Sequence, residues 1–228
     1  MPDSPSIARA DDARALATRV ASRFGSRLHR GYARNKLRLD PAYAAVAERI
    51  AASAQPLLDV GCGLGLLGFY LREKGYAGDY LGIDFDARKV DAGNAAAQGH
   101  DPRMRLVATE AASLPEFSGH VALIDVLHYM PKVAQQQLLR DAAARVAPGA
   151  LIIIRNVLRE PGWRFRATVL EEHLIHAVRW IGTPAQHYPD RGEIEAPLRA
   201  AGLAVEMQPL WGRTPFNSYL IVARAPEH

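Results

Sequence analysis

The fold of this chain is decided by the stretch Leu57-Leu58-Asp59-Val60-Gly61-Cys62-Gly63-Leu64-Gly65. A short apolar run, which suits a buried strand, ends in a carboxylate and leads into glycines at alternate positions. Because glycine has no Cβ, such a loop turns sharply and lets a ligand approach the backbone. The helix predicted after the loop offers unpaired N–H groups at its first turn. This order of strand, acid, glycine loop and helix therefore predicts a cofactor cradle.

The segments around this stretch alternate between strands and helices. The pattern predicts strands at 56–60, 79–83, 103–108, 120–126 and 149–156, with helices at 64–74, 86–98 and 132–147 between them. Such a βαβ rhythm indicates a parallel sheet that helices cover on both faces. A long helix near 162–181 and a helix near 191–201 follow. The last two predicted strands, 203–210 and 217–224, suggest an antiparallel addition at the sheet edge.

The N-terminal quarter differs from the rest in pattern and charge. Its first apolar residues recur every four positions and predict a helical segment: Leu16, Val20, Phe24 and Leu28. Asp40-Pro41 predicts the start of another helix that runs to about residue 53. Residues 1–40 hold nine Lys/Arg and four Asp, which gives this segment a net charge of +5. Because the whole chain has a net charge of +4, the remaining residues carry −1. We therefore expect a basic helical arm or lid over 1–54 and a cofactor-binding domain over 55–228.

Composition limits the class of protein. The 228 residues fit one domain with a small addition, and 49% hydrophobic with 23% charged content is ordinary for a soluble protein. No apolar run is long enough for a membrane span, and the N-terminus does not resemble a signal peptide. One cysteine excludes a disulfide framework and a multi-cysteine metal site. We expect a cytoplasmic protein without a bound metal.

The acids beside the glycines distinguish two kinds of cofactor. The spacing Gly63-x-Gly65-x-x-Gly68 also suits a dinucleotide, but a carboxylate at Asp59 would repel a pyrophosphate. The sulfonium and ammonium of S-adenosylmethionine (SAM) suit that carboxylate, although Asp59 could instead only cap the loop. Asp84 ends the second strand, where an acid can accept both ribose hydroxyls, or else cap the next helix. Phe85 could lie against the adenine.

Residues 56–160 resemble the class I SAM-dependent methyltransferases. LLDVGCGLG (57–65) resembles their first motif, LGIDFD (81–86) their second and ATEAASLPEF (108–117) their third, while DVLHYM (125–130) and RVAPGALIII (145–154) match the regions around the fourth and fifth strands. The resemblance implies a Rossmann-like α/β fold whose seven-stranded, mostly parallel sheet has the order 3-2-1-4-5-7-6. It also implies SAM as cofactor and S-adenosylhomocysteine (SAH) as product.

The resemblance assigns most of the cofactor-binding residues. The implied set is Asp59, Gly61, Cys62, Gly63, Gly65, Asp84, Phe85, Glu110, Ala111 and Asp125. The family usually has Asp in the third motif, so the longer Glu110 departs from its pattern. Asp125 could face the methionine moiety or cap its turn. Tyr32 and Lys36 could meet the methionine carboxylate from a lid, or belong to a solvated basic helix.

The flanks of the chain resemble a narrower group, the methyltransferases of aryl-polyene and xanthomonadin-type pigment synthesis. The resembling pieces are residues 31–37 with Asp40-Pro41, and residues 214–222. This resemblance implies a hydroxylated aromatic acid or an aryl-polyene precursor as methyl acceptor. We expect O-methylation, with C-methylation of a phenol ring as the open alternative.

A phenol acceptor needs one base, and His128, after the fourth strand, is the best candidate, unless it packs as a structural histidine. The C-terminal half supplies candidate substrate-binding residues, each of which could equally pack or face solvent. They are Tyr129, His176, Trp180, His187, Tyr188, Arg191, Trp211 and Phe216. His173 and His176 share a helix face, but no HExxH-type signature supports a metal site there.

Other functions stay open. The basic arm could bind RNA, although the sequence after the fourth strand lacks the Asn/Asp-Pro-Pro-aromatic motif of amino-group methylases acting on bases. The apolar stripe with its arginines could instead attach the arm to the inner membrane surface. The chain could also bind SAM without turning it over. Sequence alone predicts no oligomeric state.

Overall fold

In the computed structural model, a mixed β-sheet forms the centre of the molecule. The structure describes residues 4–111, 114–166, 185–211 and 217–227, and residues 4–11 in backbone only. Within these ranges the sheet has seven strands in the order β3-β2-β1-β4-β5-β7-β6. Their bounds are β1 Leu57–Val60, β2 Tyr80–Asp84, β3 Met104–Ala108, β4 His120–Ile124, β5 Leu151–Val157, β6 Ala204–Pro209 and β7 Ser218–Arg224. The predicted order is confirmed.

The helices follow the predicted alternation. Their bounds are α1 Ser4–Ser22, α2 Arg27–Leu39, α3 Ala42–Ile50, α4 Leu66–Glu73, α5 Ala87–Ala97, α6 Lys132–Ala143 and α7 Arg191–Ala200, with a 3₁₀ turn at Leu127–Tyr129. Of the helix predicted near 162–181, only a helical turn at 163–166 lies within the described residues.

The direction of the strands places the candidate site loops at one edge of the sheet. Strands β1 to β5 pair in parallel, and β7 pairs antiparallel with both β5 and β6, as the sequence predicted. Leu57 is in register with both Tyr80 and His120, so β1, β2 and β4 run side by side from a common start. The loops after these strands therefore open together at the carboxyl edge of the sheet, where open α/β sheets bind ligands.

Each face of the sheet buries its own apolar cluster. Alternate residues of β5 show the division, since Ile153 packs with the cluster of α1 to α5 and Ile152 with the cluster of α6 and α7. All residues of β1 and β5 are buried, as expected for central strands covered on both sides. The loops at the carboxyl ends of these strands are therefore anchored to a core that is packed on both faces of the sheet.

The N-terminal stripe packs onto this core and is not available to a membrane. Leu16, Val20 and Phe24 are at most 3% exposed, and the Phe24 ring meets the Phe69 ring of α4 edge-on at 5.6 Å. Only Leu28 of the predicted stripe is exposed. In the described part of the chain no helix has the length and apolarity to cross a bilayer.

The prediction of one helical segment across this stripe is wrong. The chain leaves α1 after Ser22, and Ser26 begins α2 by accepting a hydrogen bond from the Leu28 N–H at 3.2 Å. Because this N-cap fixes the start of α2, residues 23–26 form a break between the two helices. The start predicted at Asp40-Pro41 is confirmed, because the Asp40 side chain accepts from the Ala42 N–H at 2.9 Å.

A buried histidine makes the stability of this fold depend on pH. His120 is 4% exposed; its Nδ1 accepts from the Leu151 N–H at 3.0 Å, so the proton is on Nε2, which lies 2.8 Å from Ser53 Oγ. Burial, helped by the charge of Arg224, lowers the pKa of His120 from 6.5 to about 4. Protonation of Nδ1 would break the bond to Leu151.

We expect the free energy of unfolding to fall by about 3 kcal/mol from this group as pH decreases from 6.5 to 4. The sign follows because the unfolded chain takes up the proton at a higher pH than the folded chain. Urea unfolding of wild type and His120→Gln at pH 7 and pH 4.5 measures it. The variant should lose less stability on acidification than wild type. A control variant at the exposed His100 should lose as much stability as wild type. An equal loss in His120→Gln would contradict the assignment.

Candidate active site

The glycine loop after β1 adopts the backbone that its sequence predicts. Gly61, Gly63 and Gly65 have φ angles of 76°, 55° and 72°, a region that L side chains rarely enter. A Cβ at Gly61 would come within 2.4 Å of Val126, and one at Gly65 within 2.7 Å of Met104. At Gly63, by contrast, the nearest atom outside the loop lies 4.0 Å away. Gly63 is therefore the point at which a ligand can approach the loop backbone.

Asp84, at the end of β2, connects this loop to the next helix. Its Oδ2 accepts from the Gly63 N–H at 2.8 Å, and its Oδ1 accepts from the Asp86 N–H at 2.9 Å. Each carboxylate oxygen has two lone pairs, so one on each oxygen is left for a hydroxyl. The adjacent Phe85 is 65% exposed, which gives an adenine ring a flat surface to cover. Both residues fit their predicted roles, which stay predictions.

Asp59 lies beneath the loop. It is buried, and the Tyr80 hydroxyl donates to its Oδ2 at 2.5 Å. Burial raises the pKa of Asp59 to about 7, although the bond from Tyr80 opposes the rise. The carboxylate is therefore turned away from the open surface of the loop, and its cofactor contact stays a prediction. Cys62 packs closely against Gly82, and burial raises the pKa of its thiol.

The third motif, residues 108–117, is joined to the second motif by a backbone hydrogen bond. The Thr109 N–H donates to the Asp84 carbonyl at 2.9 Å, which places the motif beside the second. Glu110 is exposed, and the half-buried Ala111 packs against the cluster of α6 and α7. Their adenine contacts stay predictions.

A charged cluster lies after β4, formed by Lys36, Asp40, Asp125 and Arg155. Asp125 has a φ of 60°, pairs with Arg155 and lies 3.4 Å from Lys36 Nζ, which is itself 2.7 Å from Asp40. Burial alone would raise the pKa of Asp125, but Arg155 and Lys36 hold it well below its usual range. The nearby Tyr32 is half-buried, and burial raises the pKa of its hydroxyl.

His128 is held in one tautomer. The Asn156 amide donates to the Val157 carbonyl at 2.8 Å, which directs Asn156 Oδ1 toward His128 Nδ1 at 3.0 Å. Because Oδ1 can only accept, Nδ1 carries the proton and Nε2 carries the lone pair. This is the arrangement that orients a histidine as a general base. The ring is buried, 4% exposed, at the carboxyl edge of the sheet.

The loop at 185–190 covers the turn that carries His128. The N–H groups of Gln186 and His187 donate to the His128 carbonyl at 2.8 and 3.3 Å. Tyr188 lies parallel to the His128 ring with centroids 6.0 Å apart, and the Tyr129 ring is tilted by 45° to it with centroids 4.0 Å apart. The structure thus brings Tyr129 and Tyr188 together around His128.

The side chains of the other predicted substrate-binding residues make contacts of their own or fall outside the described ranges, and their substrate contacts stay predictions. His187 Nε2 lies 2.8 Å from Glu193, which also pairs with Lys132 at 2.7 Å, so His187 fastens the loop to α7. Arg191 pairs with Glu195 along α7 at 3.5 Å. Trp211 lies 4.4 Å from the Arg164 guanidinium. The remaining three, His176, Trp180 and Phe216, lie outside the described residues.

Sequence reasoning missed several residues of this edge. Tyr80 and Asn156 hold Asp59 and His128, and Gln135 donates to the carbonyls of both Met130 and His187 from a buried position. One signal was present, because Arg155-Asn156 interrupts the apolar run of β5 with two polar residues that a buried strand rarely carries. Among the described residues no group of three or more His, Cys, Asp or Glu could hold a metal ion.

The donor set fits SAM. Gly63 leaves room for a nucleoside, Asp84 has acceptors for a ribose, and the charged cluster after β4 offers both signs of charge to an amino-acid group. The fold and this cradle together define the class I SAM-dependent methyltransferase type.

Comparison with known proteins supports the same class. Residues 57–149 match the family model described as a methyltransferase domain. The chain is 25% identical over 169 residues to the ubiquinone biosynthesis O-methyltransferase of Pseudomonas entomophila, covering 71% of this chain and 69% of the relative. It is 31% identical over 106 residues to the ribosomal protein L11 methyltransferase of Cupriavidus metallidurans, covering 46% of this chain and 33% of that relative.

Solved structures share the fold. An O-methyltransferase family protein from Burkholderia thailandensis superposes with a TM-score of 0.67 at 19% identity, over 97% of this chain and 68% of that one. The magnesium protoporphyrin IX methyltransferase of Synechocystis PCC 6803, solved with bound SAH, gives 0.64 at 15% identity, over 96% and 94%. Residues 57–149 therefore carry a methyltransferase domain, and SAM is the cofactor.

Proposed function

We propose that this protein transfers the methyl group of SAM to a hydroxyl oxygen of a small aromatic acceptor. The acceptor class is a hydroxylated aromatic acid or an aryl-polyene precursor. The observation that carries the proposal is the buried His128, whose Nδ1–H is fixed by Asn156 at 3.0 Å so that Nε2 is the basic nitrogen. A phenol requires one such base and no metal-bound activator.

Some residues of the chain position the cofactor, and another transfers the proton of the acceptor. When bound, SAM supplies a methyl group already activated on a sulfonium, so alignment provides much of the rate. Asp84 and the loop at Gly63 would hold the nucleoside. His128 Nε2 would accept the phenol proton in the displacement, in which the carbon–sulfur bond of the sulfonium breaks and SAH leaves as the neutral thioether. Asn156 keeps the proton on Nδ1 while Nε2 becomes charged.

The rings around His128 favour a flat acceptor. Tyr188 lies parallel to the imidazole, and Phe165 meets Tyr188 edge-on at 5.3 Å. Binding sites for small aromatic molecules are typically lined by aromatic side chains and contain few polar groups. The name of the Pseudomonas relative, an O-methyltransferase of ubiquinone biosynthesis, agrees with oxygen as the methylated atom. The resemblance of residues 31–37 and 214–222 to pigment-pathway enzymes supports an aromatic acid.

The N-terminal helices complete the proposal as a cover for the cofactor. Helix α2 brings Tyr32 and Lys36 to the charged cluster after β4, beside the edge where the cofactor binds. We assign residues 1–54 to this covering role because α1 packs on α4, directly after the glycine loop.

A matched pair of acceptors tests the proposal. We expect purified protein with labelled SAM to methylate a hydroxycinnamic acid, and its O-methyl ether, which lacks the free hydroxyl, to stay unlabelled. Mass spectrometry of the product should place the methyl on oxygen. Methyl on a ring carbon would reject the choice of oxygen. Label in tRNA but in no phenol would favour the RNA alternative, and SAH binding without any product would favour a binding protein.

A further inference from the structure

The outer face of α2 carries a stripe of arginines without partners in the described part of the chain. Arg27, Arg34 and Arg38 are exposed, and none makes a hydrogen bond or ion pair with a described residue. Positions i, i+7 and i+11 share one helix face, so the three charges lie within about 16 Å and repel one another. Arg30, on another face, donates instead to two backbone carbonyls at 3.0 and 2.9 Å. The stripe therefore favours a ligand with negative charges in a row.

A glycine at the centre of this stripe has no explanation within the described chain. Gly31 is exposed inside α2, and a Cβ there would have no described atom within 4 Å. The glycines inside α4 and α5 differ, because a Cβ at Gly68 would come within 2.9 Å of Tyr80 and one at Gly93 within 2.5 Å of Leu106. Glycine is less favourable than other residues within a helix, but it leaves the backbone open to close approach. Gly31 therefore marks a point at which another molecule can come close to α2.

A second exposed stripe, of apolar character, runs beside the arginines. Leu28 and Leu39 are 58% and 64% exposed, and Asn35 between them is exposed as well. The opposite face of α2 is already occupied, since Ala33 and Leu37 are buried against the domain. The outer face thus pairs a row of guanidinium groups with a row of large aliphatic side chains. Its complement is a surface with carboxylates in one row and apolar side chains in the next.

We infer that the outer face of α2 docks an acidic, amphipathic helix of a partner protein. The carboxylates of that helix pair with the arginine stripe, whose planar guanidinium groups can bind them in a bidentate manner. Its apolar side chains cover the two leucines, and its backbone crosses α2 at Gly31, where no side chain intervenes. Because Lys36 on the inner side of α2 lies 3.4 Å from Asp125, the partner is bound outside the helix that reaches the charged cluster after β4.

Two other anionic partners fit this face less well. A lipid surface is bound by apolar side chains that insert into it, and a glycine at the centre of the face contributes none. Single-stranded nucleic acid typically stacks its bases on aromatic side chains, and neither exposed stripe of α2 contains an aromatic residue. A helix uses the charges, the leucines and the glycine together.

Fluorescence anisotropy of the full chain with a labelled, stapled helical peptide tests the inference. The peptide has the length of α2 and presents Glu in one row and Leu in the next, and a scrambled peptide of the same composition lacks these rows. Arg34→Glu reverses the central charge of the stripe. Its control, Arg140→Glu, makes the same change of net charge at an exposed position of α6. Gly31→Gln fills the bare position with a residue that favours a helix.

We expect Arg34→Glu to weaken binding of the designed peptide by about tenfold or more, and Arg140→Glu to leave it within about twofold. Gly31→Gln should weaken binding while it raises the melting temperature, a combination that a folding defect would not produce. The inference is overturned if the designed peptide does not bind, if the scrambled peptide binds equally, or if Arg140→Glu weakens binding as much as Arg34→Glu. Binding at this face only to phosphatidylglycerol vesicles, to a single-stranded RNA oligomer or to a second copy of the chain would also overturn it.

Discussion

Replacing His128 by alanine should lower kcat by about a hundredfold or more while the dissociation constant for SAM changes by less than about twofold. The imidazole is the group placed to take the phenol proton, and general bases typically contribute factors of this size. The nucleoside is held by other residues, at Gly63 and Asp84, so its binding should not depend on His128. Single-turnover kinetics with saturating SAM, combined with calorimetry, separates the two quantities.

Chemical rescue provides the control for His128. Added imidazole should restore part of the rate to His128→Ala, because the cavity left by the side chain lies beside the aromatic rings of Tyr129 and Tyr188. A structural defect would not respond to a small base. Full activity of the variant without imidazole would remove His128 from the proposed mechanism.

Replacing Asp84 by alanine should weaken SAM and SAH binding by more than about tenfold, since hydrogen bonds to a charged group contribute about 1.5–3 kcal/mol each. The variant loses the acceptor for the ribose hydroxyls and also releases the Gly63 N–H from its 2.8 Å bond. Two effects on one loop therefore act in the same direction. Calorimetric titration with SAH measures the change directly.

Asp86→Ala is the matched control, because Asp86 lies two residues further on and caps α5 by accepting from the Arg88 N–H at 3.1 Å. Loss of this cap should reduce stability by about 1 kcal/mol without altering affinity for SAH. An unchanged affinity in Asp84→Ala would exclude Asp84 from the cofactor site.

The sheet was predictable because its signals are local. Each buried strand is a short apolar run, and each glycine of the loop is required where φ is positive, at 76°, 55° and 72°. The order of strands followed from the motif resemblance rather than from these local signals. Gly25 and Ser26 are also a local signal for the break between α1 and α2. The prediction followed the four-residue spacing of the apolar residues instead.

The supporting contacts were not predictable, because they join residues far apart in the chain. Tyr80 binds Asp59 across 21 positions and Asn156 binds His128 across 28, and the spacing of residues along the sequence does not specify such pairs. Asp59 illustrates the consequence, because its motif did not show that its carboxylate is buried, with a pKa raised to about 7 by burial.

The acceptor side was the least predictable part of the site. Polar residues on one loop point in different directions, so Tyr188 lies over His128 while its neighbour His187 turns to Glu193. Sequence position alone brings both to the same region and cannot choose between them. Arg155 shows the opposite case, because its charge within an apolar strand is a signal present in the sequence itself, although the prediction did not use it.

A crystal structure of the protein with SAH tests the account most directly. We expect the ribose hydroxyls on Asp84, the adenine against Phe85 and the sulfur at the carboxyl edge of β4, facing His128. Density for SAH at another surface, or a sulfur that points away from His128, would contradict both the cradle and the proposed methyl transfer.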